Sequence, residues 1–152
     1  MKLAQIISVD SILLTDKVHS KKRALETASK LLAQSSALDA DSIFSQLIER
    51  ERLGSTGIGH QIALPHARLS SATQLQACCI LLAKPIDFDS LDDQPIDVLI
   101  ALIIPDNENN EHLQTLSKIA RMFSNDDIGE ALRNAKYAED IHKLFIDNDK
   151  DA

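Results

Sequence analysis

Residues 75–104, LQACCILLAKPIDFDSLDDQPIDVLIALII, decide how this chain folds. The two ends of the stretch, Leu75 to Leu82 and Val98 to Ile104, are short apolar runs with no solvated face, the pattern of buried strands. Between them KPIDFDSLDDQPID, Lys84 to Asp97, is polar and punctuated by Pro85 and Pro95, which suits loop and edge structure. The carboxylates of Asp87, Asp89, Asp92 and Asp93 read as a solvated loop. Cys78 and Cys79 are adjacent within the first run, so on a strand they point to opposite faces and make poor disulfide partners. They read as small buried hydrophobes.

Outward from this stretch the periodicity becomes helical. Upstream, Ala24, Leu25, Ala28, Leu31 and Leu32 recur at helical spacing, with Ser20 placed to cap the helix. A second helix carries Ile43, Phe44, Leu47 and Ile48 on one stripe, starts near Asp39 or Asp41, and stops at Gly54. Downstream, Leu113, Leu116, Ile119, Ala120 and Phe123 share a face of a helix with Asn110 or Glu111 near its positive end. Shorter helices fit Asp127 to Asn134 and Ala138 to Phe145, and the closing IDNDKDA is too polar to pack. Helices before, between and after strands predict one layered α/β domain, which we place at residues 1–147 with a polar tail at 148–152.

Composition narrows the function. A formal charge of -7 opposes the phosphate-backbone attraction on which nucleic-acid binding depends, so the expected partners do not include nucleic acid. No apolar run approaches the ~20 residues of a membrane helix, and Asp10 falls where a signal peptide needs an apolar core, so we expect no membrane insertion and a cytoplasmic location.

The chemistry gathers around GSTGIGHQIALPHA, which ends one residue past His66. Neutral imidazole is a nucleophile near neutral pH that can take up a phosphoryl group and release it again. Pro65 fixes its own φ and biases Leu64 toward extended geometry, so Ile62 to Pro65 can present His66 rigidly at the end of a strand. Gly54, Gly57 and Gly59 let backbone N–H groups approach an anion, Ser55 and Thr56 add hydroxyls, and Arg50 offers a planar cation. His112, in the first turn of a helix that follows a buried strand, is suited to hydrogen-bond the phosphate or to fix the tautomer of His66. The glycines lack the lysine of a nucleotide-binding P-loop. His19 and His142 have no comparable surroundings and read as structural or surface residues.

The chain resembles the nitrogen-related enzyme IIA proteins, within the mannitol/fructose class of phosphotransferase IIA domains. The resemblance rests on SKKRALE (20–26), RERLGSTGIGHQIALPHA (50–67), KPIDFDSLDDQPID (84–97) and EHLQTL (111–116). It implies a mixed β-sheet flanked by helices and His66 as the phosphorylated residue. It further implies His112 as the second active-site histidine, with Arg50, Ser55, Thr56 and Gly57 as the surrounding phosphate-binding shell. It implies delivery of phosphate by an HPr-like phosphocarrier, itself charged through an enzyme I that uses phosphoenolpyruvate, and no cofactor. Regulated targets would be proteins such as sensor kinases or ion-transport regulators. Ala67 stands where the family usually has glycine, and His60-Gln61 where a small polar residue and glycine are common. Neither Gln61 nor Ala67 is therefore expected to occupy a backbone that requires glycine, and His60 is expected to point to solvent.

The function expected is thus a phosphoryl carrier that regulates targets by its phosphorylation state. The nearest alternative is a sugar-specific IIA that passes phosphate to a IIB domain during uptake. A metal-dependent hydrolase using His60, His66 and His112 is a rival of another class, but their spacing is not a recognised ligand pattern and no metal is expected. A binding module whose histidines never react is a third alternative.

Overall fold

The computed structural model of the protein describes residues 2–106 and 111–149. In chain order it forms α1 (Leu3–Ile6), β1 (Ile12–Thr15), α2 (Lys21–Ser36), α3 (Ala40–Arg52), β2 (Ile62–Ala63) and β3 (His66–Leu69). There follow β4 (Gln76–Ile86), β5 (Ile96–Pro105), α4 (Glu111–Phe123), α5 (Asp126–Arg133) and α6 (Ala138–Asn148). Asn110, one of the two residues expected near the start of α4, lies outside the described residues, while Glu111 is the first residue of that helix.

The two apolar runs do become the central strands, β4 and β5, paired antiparallel. Both extend past the apolar runs into the segment expected to be loop, rejoining at Ile86 opposite Ile96 after an irregularity beyond Leu81. β1 joins β4 in parallel, and β2 and β3 join β5 in parallel, so the sheet is mixed, with order β1-β4-β5-β2. Ile62 lies opposite Val98 and His66 opposite Leu102, with the same stagger, so β2 and β3 are one edge line broken at Leu64 and Pro65. Proline has no N–H to give to a ladder, but the Pro65 carbonyl still accepts from Leu102 N at 2.9 Å. β1, only four residues long, is too short to stand out as a periodic pattern.

Side chains alternate across β5 and divide the core into two layers. Val98, Ile100, Leu102 and Ile104 pack with Ile119, Phe123, Ile141 and Phe145 of α4 and α6. Leu99, Ala101 and Ile103 pack with Leu25, Leu32, Ile43 and Leu47 of α2 and α3. The sheet is thereby covered on both faces. Ser20 caps α2 by accepting from Arg23 N at 3.1 Å, and Asp39 caps α3 by accepting from Ser42 N at 3.0 Å.

The polar tail requires a correction. α6 runs to Asn148, and the Asp149 side chain is 1% exposed. Its carboxylate accepts a hydrogen bond from Leu3 N and lies 3.3 Å from Lys118 Nζ, so charge pairing rather than apolar content holds Asp149 to α1 and α4; residues 150–152 of the expected tail lie outside the described residues. Hydropathy carries no sign of such an anchor.

Cys78 and Cys79 are free, fully buried, and point into opposite core layers. Burial pushes the Cys78 thiol up to about 12 and raises that of Cys79 as well, so neither forms the reactive thiolate at neutral pH. The native protein is expected to react with no equivalents of a disulfide thiol reagent over minutes and with two after denaturation. Prompt labelling of the native protein would contradict the burial.

Candidate functional site

His66 opens β3 instead of closing a strand, because pairing stops at Leu64 and resumes with the histidine itself. It therefore sits on the edge strand, half-buried, with α3 of one helical layer and α4 of the other on either side. Its Nδ1 lies 3.0 Å from the Leu64 carbonyl oxygen. A carbonyl only accepts, so Nδ1 carries the proton and Nε2 keeps its lone pair. Arg50 Nε donates to that Nε2 at 3.3 Å, while Arg50 Nη1 donates to the Gly54 carbonyl at 2.8 Å. One guanidinium thus joins the end of α3, the loop after it and the free imidazole nitrogen.

The pKa of His66 is held below the ordinary imidazole value of 6.5, first by desolvation on burial. The hydrogen bond to Leu64 and the charge of Glu51 push it upward, whereas Arg50 and His112 push it down. The net result favours the neutral ring at physiological pH. In stability terms the unfolded histidine binds a proton more readily. Its contribution is therefore fully present above pH 6.5 and is lost as pH falls from there toward the depressed folded value.

Nε2 faces a cleft of about 450 Å³ between the end of α3 and the start of α4. Arg50 and Leu53 line one wall, His112 and Leu113 the other, with His66 and Arg68 between. Leu53 is 85% exposed and Leu113 55%, so both walls end in apolar lips. His112 accepts through Nε2 from Arg68 Nη2 at 3.1 Å, since arginine can only donate. Of the two roles open to His112, fixing the tautomer of His66 is not what the geometry shows: the Leu64 carbonyl does that.

Ser55, Thr56 and Gly57 do not line the cleft, contrary to their expected place around a phosphate. The Ser55 hydroxyl donates to the Phe88 carbonyl at 3.2 Å and accepts from Gly57 N at 3.1 Å. Thr56 is buried, and its hydroxyl donates to the buried carboxylate of Glu51, which also accepts from Thr56 N at 3.3 Å. Glu51 in turn lies 3.0 Å from Lys21 Nζ. At Gly57 a side chain would be crowded, because a Cβ would lie 3.1 Å from Ser90 Oγ. These residues brace the loop beneath Arg50 and His66; both hydroxyls and the N–H groups of Thr56 and Gly57 are already used.

One further expectation changes. Gln61 has φ +62° and His60 φ +57°, so the position where relatives favour glycine does adopt the left-handed conformation, with the strain that implies. The turn is fastened from α5: Arg133 Nη2 donates to the His60 carbonyl at 2.7 Å and the same guanidinium forks onto Asp97 at 2.8 and 3.0 Å. The His60 ring points to solvent as expected, outside the cleft of His66, where its Nδ1 lies 2.9 Å from the exposed Asp126 Oδ1. Ala67 needs no special backbone, since it is a strand residue buried under α3. Among the described residues no group of three or more His, Cys, Asp or Glu side chains could hold a metal ion.

Arg68 was not among the residues singled out from the sequence, although a strand period of two places it on the same face as His66. No helix among the described residues is long and apolar enough to cross a membrane.

Residues 5–148 match the family model described as phosphoenolpyruvate-dependent sugar phosphotransferase system, EIIA 2. The nitrogen regulatory protein of Pseudomonas aeruginosa is 39% identical over 148 residues, covering 97% of this chain and 96% of that protein. The crystal structure of nitrogen regulatory protein IIA-Ntr from Neisseria meningitidis matches with a TM-score of 0.89 and 37% identity, covering 93% of this chain and 97% of that one. The mannitol enzyme IIA of Escherichia coli, solved in complex with phosphorylated enzyme IIB, shares the fold at a TM-score of 0.77 and 19% identity, covering 92% and 96% of the two chains. The loose nitrogen of His66, the arginine upon it and the edge strand that presents both thus sit in a known architecture, and the chain belongs to the EIIA type 2 family of the phosphoenolpyruvate-dependent sugar phosphotransferase system, among its nitrogen-regulatory IIA proteins.

Proposed function

We propose that this protein is a phosphoryl carrier, loaded at Nε2 of His66, whose phosphorylation state is read by target proteins. The observation that carries this reading is the pair of bonds on one imidazole: Nδ1–H is fixed on the Leu64 carbonyl, which leaves the Nε2 lone pair facing an arginine-lined cleft. In the transfer, that lone pair forms the new N–P bond as the P–N bond of a donor phosphohistidine breaks. The donor nitrogen recovers the bonding electron pair, and Nδ1 of His66 keeps its proton. Charge spread over the phosphoryl oxygens in such a loose transition state is met by the Arg50 guanidinium. His112, on the opposite wall, supports the same oxygens.

The donor we assign is an HPr-like phosphocarrier protein. The apolar lips Leu53 and Leu113 suit a protein partner at the cleft mouth, and the net charge of -7 suits one with a basic face. The readers of the phosphorylation state would be proteins such as sensor kinases or ion-transport regulators.

Incubation with phosphoenolpyruvate, enzyme I and the phosphocarrier, followed by intact-mass analysis, is expected to show one acid-labile phosphate per chain. No uptake under conditions that charge the phosphocarrier would reject the carrier role. Onward transfer to a cognate IIB domain, with sugar uptake lost on deletion, would assign the chain to transport instead of regulation.

The pH dependence has a definite sign. Protonated His66 has no lone pair to offer, so the loading rate is expected to be flat from pH 8 down to about 6.5 and to fall only as pH drops through the depressed pKa of His66 below that value. A midpoint above pH 6.5, measured with the donor held fully phosphorylated, would contradict the burial of the ring.

A further inference from the structure

The proposed loading of His66 leaves one cation of the cleft without a role. We infer that Arg68 exchanges its contact with Asp106 for the phosphoryl group on His66, and so both binds that group and transmits its presence to the protein surface. The inference rests on the carrier reading, and its observations are separate from those that identify His66 as the acceptor.

Arg68 stands two residues from His66 on the same face of β3, and both side chains line the cleft. At ~3.3 Å of rise per strand residue, their Cα atoms are ~6.5 Å apart, within reach of a long guanidinium side chain. Its fork is divided between two neighbours of different strength. Nη2 donates to His112 Nε2 at 3.1 Å, a hydrogen bond of ordinary length. Nη1 lies 3.9 Å from Asp106 Oδ1, too far for a hydrogen bond, and both side chains are more than half exposed, at 54% and 55%. An exposed ion pair of that kind is weakly held. His112 is therefore a pivot, and Nη1 is the arm that can turn.

The charge balance supplies the reason to turn. A phosphoryl group brings up to two negative charges into a site where the ring is half-buried. Arg50 brings one positive charge and already uses Nη1 on the Gly54 carbonyl. Of the described carboxylates nearby, Glu49 lines the same cleft but is paired with Arg52, and Glu51 is held by Lys21 beneath the loop. Arg68 is the next cation on the cleft wall, and planar guanidinium recognition of phosphate oxygens is the contact arginine makes best. When Nη1 moves, the exposed carboxylate of Asp106 loses that contact. Phosphorylation thereby adds negative charge at two places, the histidine and the released aspartate, and a partner reading this face meets both.

The test uses the full chain, phosphorylated enzymatically and followed by ³¹P NMR across pH. A cation beside the phosphoryl group favours its dianion, so the titration midpoint of the phosphohistidine signal is expected to rise by on the order of half a unit to one unit in Arg68→Gln and to return toward the wild-type value in Arg68→Lys. A midpoint in Arg68→Gln indistinguishable from wild type, at equal phosphate load, overturns the inference. A second measurement needs no variant: the Arg68 Nε–H resonance of the wild-type protein is expected to shift on phosphorylation, and an unmoved resonance overturns it equally. If the wild-type chain takes up no phosphate, the carrier reading fails; if it is loaded and Arg68 is indifferent, only this inference does.

Discussion

His66→Ala is expected to take up no acid-labile phosphate under conditions that load the wild-type chain fully. The substitution removes Nε2, whose lone pair meets Arg50 and whose tautomer is fixed by the Leu64 carbonyl. Removing a nucleophile from a site that otherwise stays intact costs on the order of 10³-fold or more in rate, which at ordinary incubation times reads as no loading. His112 has a supporting role on the opposite wall, where its Nε2 accepts from Arg68. His112→Ala is accordingly expected to slow loading by about 10- to 100-fold without abolishing it, the size of effect seen when one supporting donor is removed. Because His66 is half-buried at the sheet edge and packs into neither core layer, folding should survive its loss, with a stability change of about 1 kcal/mol or less. An unchanged phosphate load in His66→Ala would move the acceptor elsewhere.

The second large effect is on stability and lies beneath the site. Glu51 is buried, its carboxylate bonded to Thr56 through both N–H and hydroxyl and paired with Lys21 Nζ at 3.0 Å. Lys21 also donates to the Phe88 carbonyl at 3.2 Å and lies over the Phe88 ring at 4.5 Å. Glu51→Ala strands two buried donors and leaves Lys21 with only the exposed carboxylate of Asp89 at 3.7 Å, a change of the kind that costs ~3 kcal/mol. For a domain of this size that is a fall in melting temperature of about 10 °C. Because the same contacts hold the loop after α3, phosphate loading should slow as well. A melting temperature within 2 °C of wild type would show that the network contributes little, as an ion pair in open solvent would.

The part of the fold that follows from local pattern was legible in the residues. Continuous apolar runs in β4 and β5 require cover on both faces, and the helical stripes of α2, α3 and α4 supply it. β1 and β3 were not legible as strands, and the strand read at Ile62 to Pro65 ends earlier, at Ala63, because the pairing partners are distant in sequence and each segment spans four residues or fewer. The tail was misjudged for a related reason: Asp149 is held by contacts to Leu3 and Lys118, and charge pairing leaves no trace in hydropathy.

At the site, the residue types were readable and their partners were not. His66, His112 and Arg50 do meet at one cleft. Ser55 and Thr56 looked like phosphate donors by type, yet their hydroxyls are directed into the loop by Phe88 and Glu51, which only the folded chain brings close. Gln61 shows the reverse case. Residue type argues against a left-handed backbone there, but α5 contributes Arg133 to hold the His60 carbonyl, and the turn is kept.

The central claim is that phosphate is carried on Nε2 of His66, the nitrogen left free by the Leu64 carbonyl. Long-range ¹H–¹⁵N correlation spectra of the phosphorylated protein, labelled with ¹⁵N in its histidines, read this directly, because they distinguish the two ring nitrogens and assign the bonded one. The spectrum expected shows phosphorus on Nε2 of His66 with Nδ1 still protonated; phosphorus on Nδ1 of His66, or on His112, would contradict the account.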